Sequence, residues 1–162
     1  MKKSILVVED EDDSADLLRH SLERQGYSVV HAKDGRQVID MLDTLRPTAL
    51  ILLDMVIPYV NGFELLGVFR RHADWKHVPI VVVSANTYPP DIQRALAEGA
   101  TTYHAKSNSQ RTLLKSIRTV LGSTTETSGA EELSESDDQN AVHLRRKARQ
   151  RVRNHKRSDN VE

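Results

Sequence analysis

Five short apolar runs occupy the chain up to residue 105, and they constrain the fold more than any other feature. They are "SILVVE" (4–9), "YSVVHA" (27–32), "TALILLD" (48–54), "PIVVVSA" (79–85) and the weaker "TTYHA" (101–105). Three are nearly continuous apolar blocks rather than alternating ones. An alternating strand buries one face. A continuous block needs cover on both faces, as in a parallel sheet flanked by helices.

Helical periodicity fills the intervals. Segment 12–25 offers Asp12 as N-cap and puts Ala15, Leu18 and Leu22 on one face. "DGRQVIDMLDTL" pairs Asp34 with Gln37 as a capping box, and Val38, Met41, Leu42 and Leu45 form its apolar stripe. "NGFELLGVFRRH" repeats that logic with Asn61 and Glu64, then Leu65, Leu66 and Phe69. Segment 89–98 opens with Pro90 and Asp91 and stops at Gly99. Segment 108–121 carries Leu113, Leu114, Ile117, Val120 and Leu121 and ends at Gly122. The order βαβαβαβαβα predicts an α/β fold, a doubly wound parallel sheet with helices on both faces. Ligand sites in such sheets lie beyond the carboxyl ends of the strands.

The strand ends carry the polar groups. Strand one ends in Glu9 and Asp10, strand three in Asp54 and strand four in Ser84; Lys106 follows strand five. Three carboxylates on one rim repel one another and call for a cation. A hard divalent ion such as Mg2+ takes oxygen ligands and keeps several waters. A lysine and a hydroxyl beside it suit the oxygens of a phosphoryl group.

The blocks "ILVVEDE", "LLDMVIPYVNGFELL", "VPIVVVSAN" and "GATTYHAKS" together resemble the receiver domain of two-component response regulators, over about residues 3–121. The resemblance implies a flavodoxin-like sheet of five strands in the order 2-1-3-4-5. It makes Asp54 the phosphoacceptor, attacking a phosphohistidine on a histidine kinase or phosphotransfer protein. Asp10 would bind Mg2+ directly, Glu9 directly or through water, and the Val56 carbonyl would add a ligand. Ser84 would be the switch hydroxyl and Ala85 the small residue leaving room for the phosphoryl group. Lys106 would neutralise phosphoryl charge, and Tyr103 would be the rotating aromatic coupled to the switch. Enzymatic capacity would end at self-phosphotransfer and autodephosphorylation. A downstream protein would read the face made by helix four, strand five and helix five, about residues 89–121. Two departures stand out. Glu9 replaces the usual aspartate and is one methylene longer. Ser107 replaces the usual cis proline, and a non-proline cis bond costs about 2.5–4 kcal/mol, which favours a trans bond and a differently shaped loop.

Charge separates the chain into two parts. Residues 1–121 carry 15 basic and 15 acidic side chains, and the rest carries eight of each, segregated. After Gly122, "STTETSGAEELSESDDQN" has six acidic residues and almost no apolar content, which predicts disorder. "AVHLRRKARQRVRNHKR" (141–157) has eight basic residues and no acid, with Leu144, Ala148 and Val152 on one helical stripe. The expectation is a receiver over 1–121 and a tail over 122–162, acidic at 126–138. Arg145, Arg146, Lys147 and Arg149 are candidate contacts to nucleic acid, an acidic protein or an anionic surface. The acidic block could also mask the basic one.

Other classes find little support. Without cysteine there are no disulfides or thiolate sites. His31, His72, His77 and His104 lack ligand spacing. Gly62 and Gly67 are spaced as in a P-loop, but Val68 stands where the lysine is needed. The apolar run Ile5–Val8 is too short for a signal sequence and nothing spans a membrane, so a soluble cytoplasmic protein is expected. Two rivals remain: a pseudo-receiver that binds without phosphorylation, and a nucleic-acid-binding regulator acting through the tail.

Overall fold

The computed structural model describes residues 1–122. The candidate contacts Arg145, Arg146, Lys147 and Arg149, and the proposed acidic and basic blocks, lie outside the described residues. Ten elements alternate: β1 (Ser4–Val8), α1 (Asp12–Arg24), β2 (Ser28–Ala32), α2 (Gly35–Leu42), β3 (Leu50–Leu53), α3 (Gly62–Arg71), β4 (Ile80–Ser84), α4 (Pro89–Glu98), β5 (Thr102–Ala105) and α5 (Gln110–Val120). All strand pairs are parallel, and the sheet order is β2-β1-β3-β4-β5, as the resemblance implied.

The continuous apolar strands are buried on both faces, as their composition required. Leu6, Val8, Ile51, Leu53, Ile80 and Val82 pack toward α2, α3 and α4, around Val38, Leu65, Leu66 and Phe69. Ile5, Val7, Leu50, Leu52, Val81 and Val83 face the other way, onto Leu22 of α1 and Leu113 and Ile117 of α5. Alternate residues of one strand thus serve two cores.

The register aligns the carboxyl ends of the strands. Val8 sits opposite Ala32 on one side and Leu53 on the other, Leu53 opposite Val82, and Ser84 opposite Ala105. The polar residues that follow these positions therefore share one edge.

Capping follows the sequence with two corrections. Gln37 donates its backbone N–H to Asp34 Oδ1 at 2.9 Å, but its side chain reaches back to Lys33 N–H, one residue before the cap. Asn61 caps α3, accepting from Glu64 N–H at 3.0 Å. Asp12 does not cap α1: the cap position is Glu11, which makes no side-chain cap bond, and Asp12 begins the helix, paired with Lys33 at 2.7 Å. The chain leaves β1 through Asp10 and is already helical at Asp12. Leu45 does not extend the α2 stripe, because the helix ends at Leu42 and Leu45 is exposed.

The far end of α4 is tied down by Arg70 of α3. Its guanidinium donates to the Gly99 carbonyl from Nε at 3.0 Å and Nη2 at 2.7 Å, and to the Lys76 and Val78 carbonyls from Nη1 at 3.0 and 2.8 Å. Gly99 has φ +123°, and a Cβ there would lie 2.8 Å from the Arg70 side chain, so glycine is required twice over. Lysine cannot reproduce this fork, because its ammonium is a single point donor. Arg70→Lys is expected to cost about 2–3 kcal/mol by leaving partly buried carbonyls unpaired, read as a lower urea midpoint with an unchanged m-value.

Candidate functional site

The carboxyl edge of the sheet is built by ladder hydrogen bonds that run one residue past each strand. Glu9 N–H donates to Ala32 C=O at 3.1 Å, Asp54 N–H to Val8 C=O at 3.0 Å and Lys106 N–H to Ser84 C=O at 2.8 Å. Each side chain therefore leaves a backbone that the sheet holds. Glu9 is fixed further by His31, whose Nε2 donates to the Glu9 carbonyl at 2.7 Å.

Lys106 closes the site. Its Nζ donates to Asp54 Oδ2 at 2.7 Å and to Glu9 Oε2 at 2.8 Å. Glu9 and Asp54 are both buried, while Asp10 is exposed beside them. The remaining carboxylate oxygens are also engaged: Glu9 Oε1 accepts from Glu11 N–H at 3.1 Å, and Asp54 Oδ1 from Val56 N–H at 3.0 Å. Burial pushes the Glu9 carboxyl up from its ordinary value, against the hydrogen bonds from Lys106 and Glu11. Burial also opposes the charge of Lys106, but its bonds to Asp54 and Glu9 outweigh that and hold its pKa above the ordinary value.

Glu9, Asp10 and Asp54 each offer an oxygen within 4.8 Å of the others. An all-oxygen anionic donor set with one open, exposed member suits a hard divalent cation that retains water. Among the described residues this is the one such cluster of acidic or imidazole side chains. Val56, whose carbonyl the resemblance makes a further ligand, adjoins Asp54 through its N–H.

The hydroxyls lie beside this cluster. Ser84 is fully buried at the end of β4, and its Oγ accepts from Asn86 N–H at 3.2 Å. Ala85, next to it, is exposed and adds no bulk. Tyr103 donates its hydroxyl to the Asn86 carbonyl at 2.5 Å, and burial raises its pKa, partly offset by a hydrogen bond with Ser84. The loop after Asp54 is held tightly. A Cβ on Gly62 would lie 2.5 Å from the Met55 Cα, and Tyr59 takes a left-handed φ of 70° with the Arg36 guanidinium 3.6 Å from its ring centroid.

Glu9, Asp10, Asp54, Val56, Ser84, Ala85 and Lys106 thus lie at one edge, while Tyr103 sits inside β5 and reaches that edge through its hydroxyl on Asn86. No cis peptide bond occurs among the described residues, so the Lys106–Ser107 bond is trans, and the amine still reaches Asp54. Sequence reasoning missed His31 and Asn86. His31 lies opposite Val7 in the register, a relation visible only once β1 and β2 are paired. Asn86 could have been suspected only as a turn residue after a strand.

No helix among the described residues is long and apolar enough to cross a membrane. The family model described as the response regulator receiver domain matches residues 5–118. The polar-differentiation response regulator DivK of Brucella anthropi is 30% identical over 122 residues, covering 75% of this chain and 98% of that protein. The chemotaxis response regulator CheY4 of Vibrio cholerae superposes with a TM-score of 0.69 at 30% identity, over 74% of this chain and 99% of that one. The receiver domain of a sensor histidine kinase from Pseudomonas aeruginosa, crystallised with a magnesium ion coordinated in its active site cleft, gives 0.69 at 27% identity, over 76% of this chain and all of that one (100%). With its sheet order, its acidic edge and its lysine, this chain belongs to the response regulator receiver domain family of two-component signalling.

Proposed function

We propose that Asp54 accepts a phosphoryl group from a phosphohistidine of a histidine kinase or phosphotransfer protein, and that the phosphorylated domain signals through protein contacts. The observation that carries this is the 2.7 Å contact between Asp54 and Lys106 at the carboxyl edge, with Glu9 and Asp10 alongside. An Asp54 carboxylate oxygen attacks phosphorus, the phosphorus–nitrogen bond breaks, and its electron pair returns to the imidazole. Lys106 meets the developing negative charge on the phosphoryl oxygens. Glu9, Asp10 and Asp54, with the Val56 carbonyl, would hold Mg2+, which supplies further charge neutralisation when bound. As the phosphoryl group arrives, Ser84 turns its hydroxyl to it, and Ala85 leaves space for it. Phosphorylation favours an active conformer already sampled. The face of α4, β5 and α5 carries the output to a downstream protein.

The pairing of Lys106 with Asp54 favours this reading over a phosphorylation-independent binding module, for which neither residue has a task. Intact-mass measurement after acetyl phosphate treatment tests it. Wild type with Mg2+ gains one phosphoryl group, about 80 Da; wild type with chelator and Asp54→Asn with Mg2+ gain none. Lys106→Ala takes up phosphate about a hundredfold more slowly, the loss typical of one missing charge-stabilising donor. A wild type that stays unmodified by both acetyl phosphate and phosphohistidine donors sinks the proposal.

The raised pKa of Glu9 makes a separate prediction. The folded state binds that proton more tightly than the unfolded chain, whose Glu9 titrates near 4.5. Stability from this group is therefore full below that pH and is lost as pH rises through the folded value. Without divalent ion at neutral pH, Glu9→Gln should raise Tm, and the gain should vanish near pH 4. A calorimetric pH series with and without Mg2+ reads both effects.

A further inference from the structure

We propose that Asp91, in the first turn of α4, is a positioning residue for Ser84 and acts through Asn86 as a latch on the switch hydroxyl. The proposal rests on the phosphoacceptor reading of Asp54 and deepens it. Asn86 spends all four of its polar functions on distinct partners. Its backbone N–H goes to Ser84 Oγ at 3.2 Å, and its carbonyl accepts the Tyr103 hydroxyl at 2.5 Å. Its side-chain Oδ1 accepts from Tyr88 N–H at 2.9 Å, and Nδ2 donates to Asp91 Oδ2 at 2.6 Å.

Only the last of these ties the loop to a charged group on a helix. Asp91 is the third residue of α4, after Pro89 and Pro90, and its N–H donates to the Tyr88 carbonyl at 3.0 Å. The two prolines pre-set the first turn before it, the bond to Tyr88 holds its backbone, and the helix N-terminus favours its negative charge. The carboxylate is thus a stationary anchor, and a charge-assisted bond to it is stronger than a neutral one. While Asn86 is anchored, its N–H stays on Ser84 Oγ and holds that hydroxyl toward the loop. For Ser84 to turn to a phosphoryl group on Asp54, the Asn86 N–H must let go. The Asn86–Asp91 bond opposes that release. An ordinary loop turn would explain the bond to Tyr88; it does not explain why both switch hydroxyls meet on the backbone of a residue whose side chain is held by α4.

The test measures phosphoryl uptake from acetyl phosphate with Mg2+, and amide hydrogen exchange of residues 85–91, on the full chain. Asp91→Ala should speed uptake about fivefold, the scale of losing one partly exposed charge-assisted hydrogen bond. It should also deprotect the Asn86 and Tyr88 amides. Asp91→Asn keeps an acceptor and should stay within about twofold of wild type. Should Asp91→Ala unfold, Asn86→Asp breaks the same bond by placing two carboxylates face to face, and the same acceleration is expected. In a Ser84→Ala background neither variant should change the residual rate, because the latch acts on that hydroxyl. An unchanged or slower rate in wild-type background, or an equal acceleration without Ser84, overturns the latch. If wild type itself takes up no phosphate from any donor, the phosphoacceptor reading fails instead, and the latch falls with it.

Discussion

One ammonium group between two buried carboxylates holds this domain's chemistry in place. Lys106 follows β5 at the edge of the sheet, yet its amine lies on Asp54 after β3 and on Glu9 after β1. Neighbouring strands are about 4.8 Å apart, so the side chain crosses over β4 to reach both acids. That reach works only if four strands run parallel in register and end together. A shift of one residue in any of them would turn a site residue into the core. Desolvation offsets much of the Coulomb gain in such a buried cluster, so it is weak as a stabilising device. The rise in the Glu9 pKa is the mark of that desolvation. Three carboxylates held with one lysine leave negative charge uncompensated, and on the proposed reading a divalent cation with an incoming phosphoryl group would use it.

Much of this was readable from residue order alone, for a physical reason. In a βαβ chain every strand points the same way, so the residue after each apolar run must lie at the same edge. Glu9, Asp54, Ser84 and Lys106 could be brought together without any tertiary information. The Asp34 and Asn61 caps were equally local, because the bonds they make span three residues. Asp12 was misread because five successive acids, Glu9 to Asp13, offer several plausible caps. What chooses among them is where the chain turns after β1, which the local pattern does not encode. Arg70 was illegible for the opposite reason. Its guanidinium bonds Gly99, 29 residues on, and nothing near either residue signals the other.

The two departures from the family pattern bear differently on the site. Ser107 does not displace the lysine, because Lys106 is placed from upstream: its own N–H extends the β4–β5 ladder through the Ser84 carbonyl. The peptide bond that follows it shapes the loop toward α5, where Asn108 N–H returns to the Ala105 carbonyl and Ser109 caps the helix. The amine is upstream of that variation. Glu9 is different, because its extra methylene lies inside the site. The structure uses the length: Oε2 meets Lys106 while Oε1 accepts the Glu11 N–H, and His31 pins the backbone behind it. A longer acid held at both oxygens is no looser than a short one, but its oxygens already have partners. Asp10 is the exposed carboxylate of the cluster, so on the proposed reading the first hold on a cation entering from solvent would fall to Asp10, while Glu9 is tied to Lys106.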